Sequence, residues 1–152
     1  MRVLSLAALL FLLFPSADLS ADEGEWSELG NGWKVMVTSI EEKSSLRKAF
    51  GGEVHPEGEF LVVEMKTQVT PEAYKKKVLL VVDRETTFIV DENGKRYPMC
   101  GCFMGGAYMT GIVGRGIRGP ENLKLVFDVP KECAGLKLLL MPDTHLIKLS
   151  AE

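Results

Sequence analysis

The stretch Thr86-Thr87-Phe88-Ile89-Val90-Asp91-Glu92-Asn93-Gly94-Lys95-Arg96-Tyr97-Pro98 constrains the fold of this chain more than any other. An apolar run, an Asn-Gly pair and an aromatic return together specify a β-hairpin. Asn93 and Gly94 are residue types that reach the positive φ values of a type I′ turn, so that turn is expected here. No grouping of catalytic residues of comparable strength occurs in the chain.

The rest of the sequence repeats the strand pattern. Residues 33–40 alternate, with Trp33, Val35 and Val37 on one face. Residues 60–69 put Leu61, Val63, Met65, Thr67 and Val69 opposite Glu64, Lys66 and Gln68. Leu123, Leu125, Phe127 and Val129 form a third apolar face, Leu136, Leu138 and Leu140 a fourth, and residues 146–149 close the series. Residues 77–82 are apolar on both faces and are expected as a central strand or a buried strand end. Two short helical turns are expected. One covers residues 44–50, with a capping serine in front and Gly51-Gly52 behind, and the other follows Thr70-Pro71. Seven to nine short strands with one or two helical turns predict an all-β, immunoglobulin-like antiparallel β-sandwich.

Residues 1–21 predict an address. Arg2 precedes an apolar core too short to cross a bilayer interior of roughly 30 Å, and Pro15 separates that core from small residues. This is the pattern of a secretory signal peptide cleaved after Ala21, with Ala17 the alternative site and an uncleaved anchor the lesser one. No Cys follows the apolar core to carry a lipid. The mature chain is therefore expected to be secreted or periplasmic, with no stable membrane span. Residues 22–32 read as an acidic leader, and residues 33–150 as a single domain. A net charge of −3 gives no nucleic-acid footprint, so the expected partner is an unidentified protein or a component of the cell envelope.

Three stretches, residues 58–65 (GEFLVVEM), 88–98 (FIVDENGKRYP) and 125–131 (LVFDVPK), resemble in order those that mark a bacterial extracellular family. Its members are telokin-like, immunoglobulin-fold domains of unknown function, including immunoprotective extracellular proteins. The resemblance covers residues 33–149 and implies an immunoglobulin-like sandwich without enzyme activity or cofactor. It offers no catalytic residue to carry over. The chain departs from the family pattern between residues 99 and 120, where a Cys-, Met- and Gly-rich stretch stands, so individual function is expected there.

Within that stretch Cys100 and Cys102 are two apart and are expected on one face of a strand. In an oxidising compartment a bridge from Cys102, or alternatively Cys100, to Cys133 is expected, worth roughly 3–4 kcal/mol in the chain-entropy model. The sharper alternative is a Cu(I) site, because Met99, Cys100, Cys102, Met104 and Met109 are soft ligands. Against it, Met and Cys also fill apolar gaps, and no His lies in the stretch.

Residues 114–119 satisfy GxGxxG, but Pro120 and a strand follow where a nucleotide site needs a helix, so a turn-rich loop is expected. Residues 107–113 are expected to supply a strand. Phe103, Met104, Tyr108, Arg115 and Arg118 are the candidate binding loop, the arginines suited to an anion. His55 and His145 lack metal or triad spacing and read as surface residues. No metal or catalytic residue is assigned.

Overall fold

The structure, a computed structural model, describes residues 25–110, 115–141 and 146–149. Residues 1–21, where a signal peptide is expected, and His145 lie outside them. Seven strands carry the architecture: β2 (Trp33–Lys43), β5 (Glu59–Val69), β7 (Thr87–Val90), β8 (Arg96–Met104), β11 (Asn122–Val129), β12 (Lys137–Leu140) and β13 (Leu146–Lys148). Their hydrogen-bonded order is β2-β5-β11-β8-β7-β12-β13, and every pairing is antiparallel. Lettered A to G in chain order, they give A-B-E-D and C-F-G, the constant-type immunoglobulin arrangement. Short pieces complete it: β1 (Ser27–Glu28), β3 (Leu46–Arg47), β4 (Glu53–Val54), β6 (Leu80–Val82), β9 (Ala107–Thr110) and β10 (Arg115–Ile117).

The two layers meet in one main core. Trp33, Val35, Val37, Leu61, Val63, Met65, Leu123, Leu125, Phe127 and Val129 enter it from one layer, Ile89, Leu138, Leu140 and Ile147 from the other. These are the apolar faces expected from period-two alternation. The leader is partly absorbed: β1 pairs with β2, and Leu29 is buried in the core.

β8 belongs to both layers. Its first residues pair with β7 (Phe88 with Pro98, Val90 with Arg96), and its later ones with β11 (Leu125 with Cys102, Val126 with Gly101, Phe127 with Met99). Cys100 is left over between Gly101 and Met99, a β-bulge at the point where the strand passes from one sheet to the other. The extra residue reverses the alternation. Met99 and Cys102 face the main core, whereas Cys100 packs on the opposite face against a second cluster of Leu46, Phe60, Val62, Tyr108 and Val126. The expectation that Cys100 and Cys102 share a face is thus corrected by one inserted residue. A second bulge in β2, between Val37 and Ser39, acts likewise and returns Ile40 to the main core.

Three local expectations also change. Residues 44–50 form no helical turn. Leu46 is drawn into the second cluster, β3 pairs with β4, and Gly51 and Gly52, both at positive φ, make the turn between them. Phe50 stands 96% exposed there, so it anchors no helix face. The Asn93-Gly94 hairpin is real but not type I′. Lys77 is the only non-glycine at positive φ among the described residues, so Asn93 lies outside that region. Instead the Gly94 N–H donates to Asp91 O, the Asp91 N–H to Lys95 O, and Gly94 alone takes φ +79°. This is a three-residue loop built on a type I turn followed by a left-handed glycine. Asp91 makes it possible, its Oδ1 accepting from the Asn93 and Lys95 N–H groups, each at 2.9 Å. Finally, Arg115–Ile117 of the GxGxxG stretch is a strand rather than a loop.

The second helical expectation holds. α1 (Pro71–Lys75) begins at Thr70, whose Oγ1 accepts from the Ala73 N–H at 3.3 Å. Part of the expected strand over 107–113 is present as β9, and residues 111–113 lie outside the described set.

The bulge makes Gly101 obligatory. A Cβ there would lie 2.5 Å from both the Met109 carbonyl oxygen and Tyr108 Cε2. Gly101→Ala is expected to cost about 1–3 kcal/mol in urea unfolding. Gly119→Ala, where nothing lies within 4 Å, should stay within about 0.5 kcal/mol.

Candidate functional site

The sequence-predicted residues do not form one site. Met99 and Cys102 are buried in the main core, Cys100 lies across the sheet from them, and Met104 is exposed at the β8–β9 turn. Met109 pairs with Cys102 along the ladder. The five soft ligands are thereby divided between two faces and a turn. Among the described residues no group of three or more His, Cys, Asp or Glu side chains is placed to hold a metal.

None of the three cysteines is bridged, so the expected Cys102–Cys133 or Cys100–Cys133 disulfide is not formed. Each thiol has its own surroundings. Cys100 Sγ donates to Val126 O at 3.3 Å and lies 3.7 Å from the Tyr108 hydroxyl. Cys133 Sγ donates to the Tyr97 hydroxyl at 3.4 Å, which donates to Asp91 Oδ2 at 3.1 Å. Burial pushes the Cys100 and Cys102 thiols up, away from the reactive thiolate.

The candidate binding loop is also divided. Tyr108 is buried between Phe60 and Phe103, with ring centroids at 6.2 and 5.8 Å, and is no contact residue. Lys124 Nζ lies 5.7 Å from the Phe103 ring, leaving Met104 as the exposed member. Arg115 is taken by Glu121, at 3.0 and 3.1 Å to its two carboxylate oxygens. His55 is at the surface, as expected, 3.9 Å from Glu53.

Arg118 reaches a cavity. It lines an open space of about 510 Å³ with Tyr74, Lys75, Lys77 and Leu79. The backbone builds this place from two pieces. β6 and β10 pair Leu80 with Ile117 and Val82 with Arg115, turning Leu80, Val82 and Ile117 into the main core. Leu79 and Val81 consequently face outward, 41% and 38% exposed. This is why residues 77–82 read as apolar on both faces: on the outer face Leu79 borders a cavity and Val81 stands partly exposed. Gly116 admits Leu79, whose Cδ1 would be only 3.0 Å from a Cβ at that position.

The second piece is the end of α1. The Lys77 N–H donates to Tyr74 O and the Val78 N–H to Ala73 O, the paired bonds of a Schellman cap. The left-handed position of that cap, φ +57°, is occupied by Lys77 where glycine is the usual residue. Trp33 Nε1 donates to Val78 O at 3.0 Å and fixes the segment to the core. Lys76 pairs with Glu72, but Lys75, Lys77 and Arg118 have no carboxylate partner among the described residues. Tyr74, Lys75, Lys77 and Leu79 were missed by sequence reasoning. Their signal was a lysine run leading directly into a strand apolar on both faces.

The strand order and this cavity define an all-β sandwich of immunoglobulin-like topology with an open cationic pocket beside its core. No family model matches the chain. No curated protein matches it either. Among solved structures it is similar to an uncharacterized β-sandwich protein from Clostridium difficile 630, at 10% identity and TM-score 0.49 over 84% of this chain and 91% of that one. It is also similar to a conserved hypothetical protein from Bacillus anthracis, at 12% identity and TM-score 0.46 over 86% of this chain and 95% of that one.

Two outcomes test these surroundings. Thiol titration in denaturant should count three free thiols, and in native protein Cys102, the most buried, should be the last to be alkylated. A mass lower by two hydrogens would show a bridge instead. Asp91 gives the pH dependence. Burial opposes its ionisation, yet the Lys95 N–H, the Tyr97 hydroxyl and the Asn93 N–H outweigh it and hold the carboxyl below its ordinary value. A depressed folded-state pKa contributes stability that is present above the unfolded value of about 3.9 and lost as pH falls through the folded one. The stability advantage of wild type over Asp91→Asn should therefore shrink below about pH 4 and be constant above it, read from urea midpoints across pH.

Proposed function

We propose that the protein is a non-catalytic, secreted or periplasmic immunoglobulin-like binding module of the telokin-like kind its sequence resembles, and that its binding site is the cavity between α1 and the β6–β10 ribbon. The observation that carries this reading is the lining itself. Three cations without carboxylate partners among the described residues converge there with an aromatic and an aliphatic side chain on one concave surface. Such a combination of apolar wall and few polar anchors is the usual character of a ligand site. Among the described lining residues no nucleophile is paired with a general base, which favours binding over catalysis. The A-B-E-D and C-F-G strand order supports the family likeness, and the segment 1–21 supports the address.

The test has two readings. Full-length chain expressed in a bacterial host should appear in the periplasm or medium with a mass beginning at Asp22, or at Asp18 for cleavage after Ala17. Retention of residues 1–21 in a cytoplasmic fraction overturns the address. Amide shifts on titration with an envelope small-molecule extract should cluster at residues 74–79 and 115–118. Shifts elsewhere, or none, overturn the site.

A further inference from the structure

We propose that the cavity takes an amphiphilic anion, a carboxylate or phosphate carried on a hydrocarbon or aryl body. This rests on the reading of the cavity as the binding site and names its ligand class.

Three features point to this chemistry. The first is charge. Lys75, Lys77 and Arg118 bring three positive side chains to one rim, and no Asp or Glu is among the described lining residues. Arg118 offers a planar fork suited to two oxygens of one anion, and the lysines offer point charges beside it. The second is the apolar wall. Leu79 and Tyr74 are 41% and 59% exposed, and Val81 continues the same outward face of β6. A small hydrophilic anion would leave that wall in water, whereas a chain or ring attached to it would cover Leu79 and gain burial energy. The third is conformational. Lys77 holds a left-handed backbone that is strained for a lysine and that glycine would adopt freely. The substitution that would relieve it removes the ammonium from the rim.

The register places these parts correctly for a two-part ligand. Leu80 pairs with Ile117, so Leu79 and Arg118 are the next residues along the two strands, on the outward face. An anionic head at Arg118 and Lys77 therefore has its body over Leu79 and Tyr74. The cavity volume of about 510 Å³ is in the range of small-molecule sites.

The experiment is a titration of the full mature chain followed by amide shifts and calorimetry. Its probes are dodecanoate and dodecyl phosphate, with acetate, inorganic phosphate, dodecanol and dodecyltrimethylammonium as counterparts, all below their micellar concentrations. Both long-chain anions should bind with shifts at residues 74–79 and 115–118. Which is tighter tells a carboxylate from a phosphate head. Arg118→Gln and Lys77→Gln should each weaken binding about tenfold, and Leu79→Gln should weaken the long-chain anions while leaving the shift of inorganic phosphate unchanged. Lys77→Gly supplies the readout a structural role would not give: the fold should become more stable while affinity falls. Equal binding of dodecanol, or of the cationic amphiphile, overturns the anion assignment but keeps the cavity as a site. Binding of inorganic phosphate as tight as dodecyl phosphate overturns the apolar half. No shift at the cavity with any probe overturns the proposal together with the site.

Discussion

β8 has to satisfy two sheets at once, and most of the structure follows from how it does so. Pairing with β7 through residues 96–98 and with β11 from Met99 onward, the strand cannot keep a single register across the sandwich. The bulge at Cys100 absorbs the mismatch, and its cost is offset by what it creates. Tyr97 and Met99 remain in the main core, while Cys100 and Gly101 turn to the other face, where Tyr108 closes over them. β9 can then fold back on β8, and Lys48 and Ala49 engage Tyr108 through a bridge and an N–H donation of 3.1 Å. The outer face of β5 and β11 is thereby covered, which explains why Phe60, Leu61, Val62 and Val63 are consecutively buried.

The polar arrangement at the other end of β8 depends on the same strand. Contact with Cys133, burial and the bond the Tyr97 hydroxyl donates to Asp91 together push its ionisation well above the usual range. Asp91 closes the β7–β8 loop, and the Glu92 N–H donates to Ala134 O in the turn before β12. A hairpin tip and the β11–β12 connection are thus tied through one buried carboxylate. Cys133 serves that tie as a hydrogen-bond donor, a role that leaves its sulfur directed at a phenol rather than at another sulfur.

Period-two alternation made β5, β11 and β12 legible in the sequence, and the hairpin at 86–98 and the Thr70 cap were legible from residue chemistry. What was hidden shares one physical origin. A bulge inverts the parity of everything beyond it, and no composition signal marks Thr38 or Cys100 as the extra residue. Residues 44–50 carry good local helix signals, but Leu46 finds more burial against Phe60 and Val126 than a one-turn helix supplies. The turn type at Asn93-Gly94 was decided by Asp91, whose side chain satisfies two N–H groups only when Gly94 alone is left-handed. Of the candidate site, Arg118 was readable as an anion contact. Its partners were not, because they come from a helix end some forty residues earlier in the chain.

The two arginines of the 114–119 stretch show how this fold treats a cation that it uses structurally and one that it does not. Arg115 lies half-buried on β10 and meets Glu121, whose N–H and carbonyl are in turn held by Thr67. The charge is neutralised within a network that joins β10 to the β5–β11 pair. Arg118, three residues on, has no such acid among the described residues, and the fold places it with Lys75 and Lys77 rather than away from them. Like charges gathered on one rim repel, and Lys77 adds left-handed strain at the same spot. Neither feature helps the sandwich, since the Schellman cap would form as well on glycine and the ribbon is anchored by Leu80, Val82 and Ile117. Two unfavourable choices coincide with an outward apolar strand face, and an anion with an apolar body would relieve both the repulsion and the exposure together.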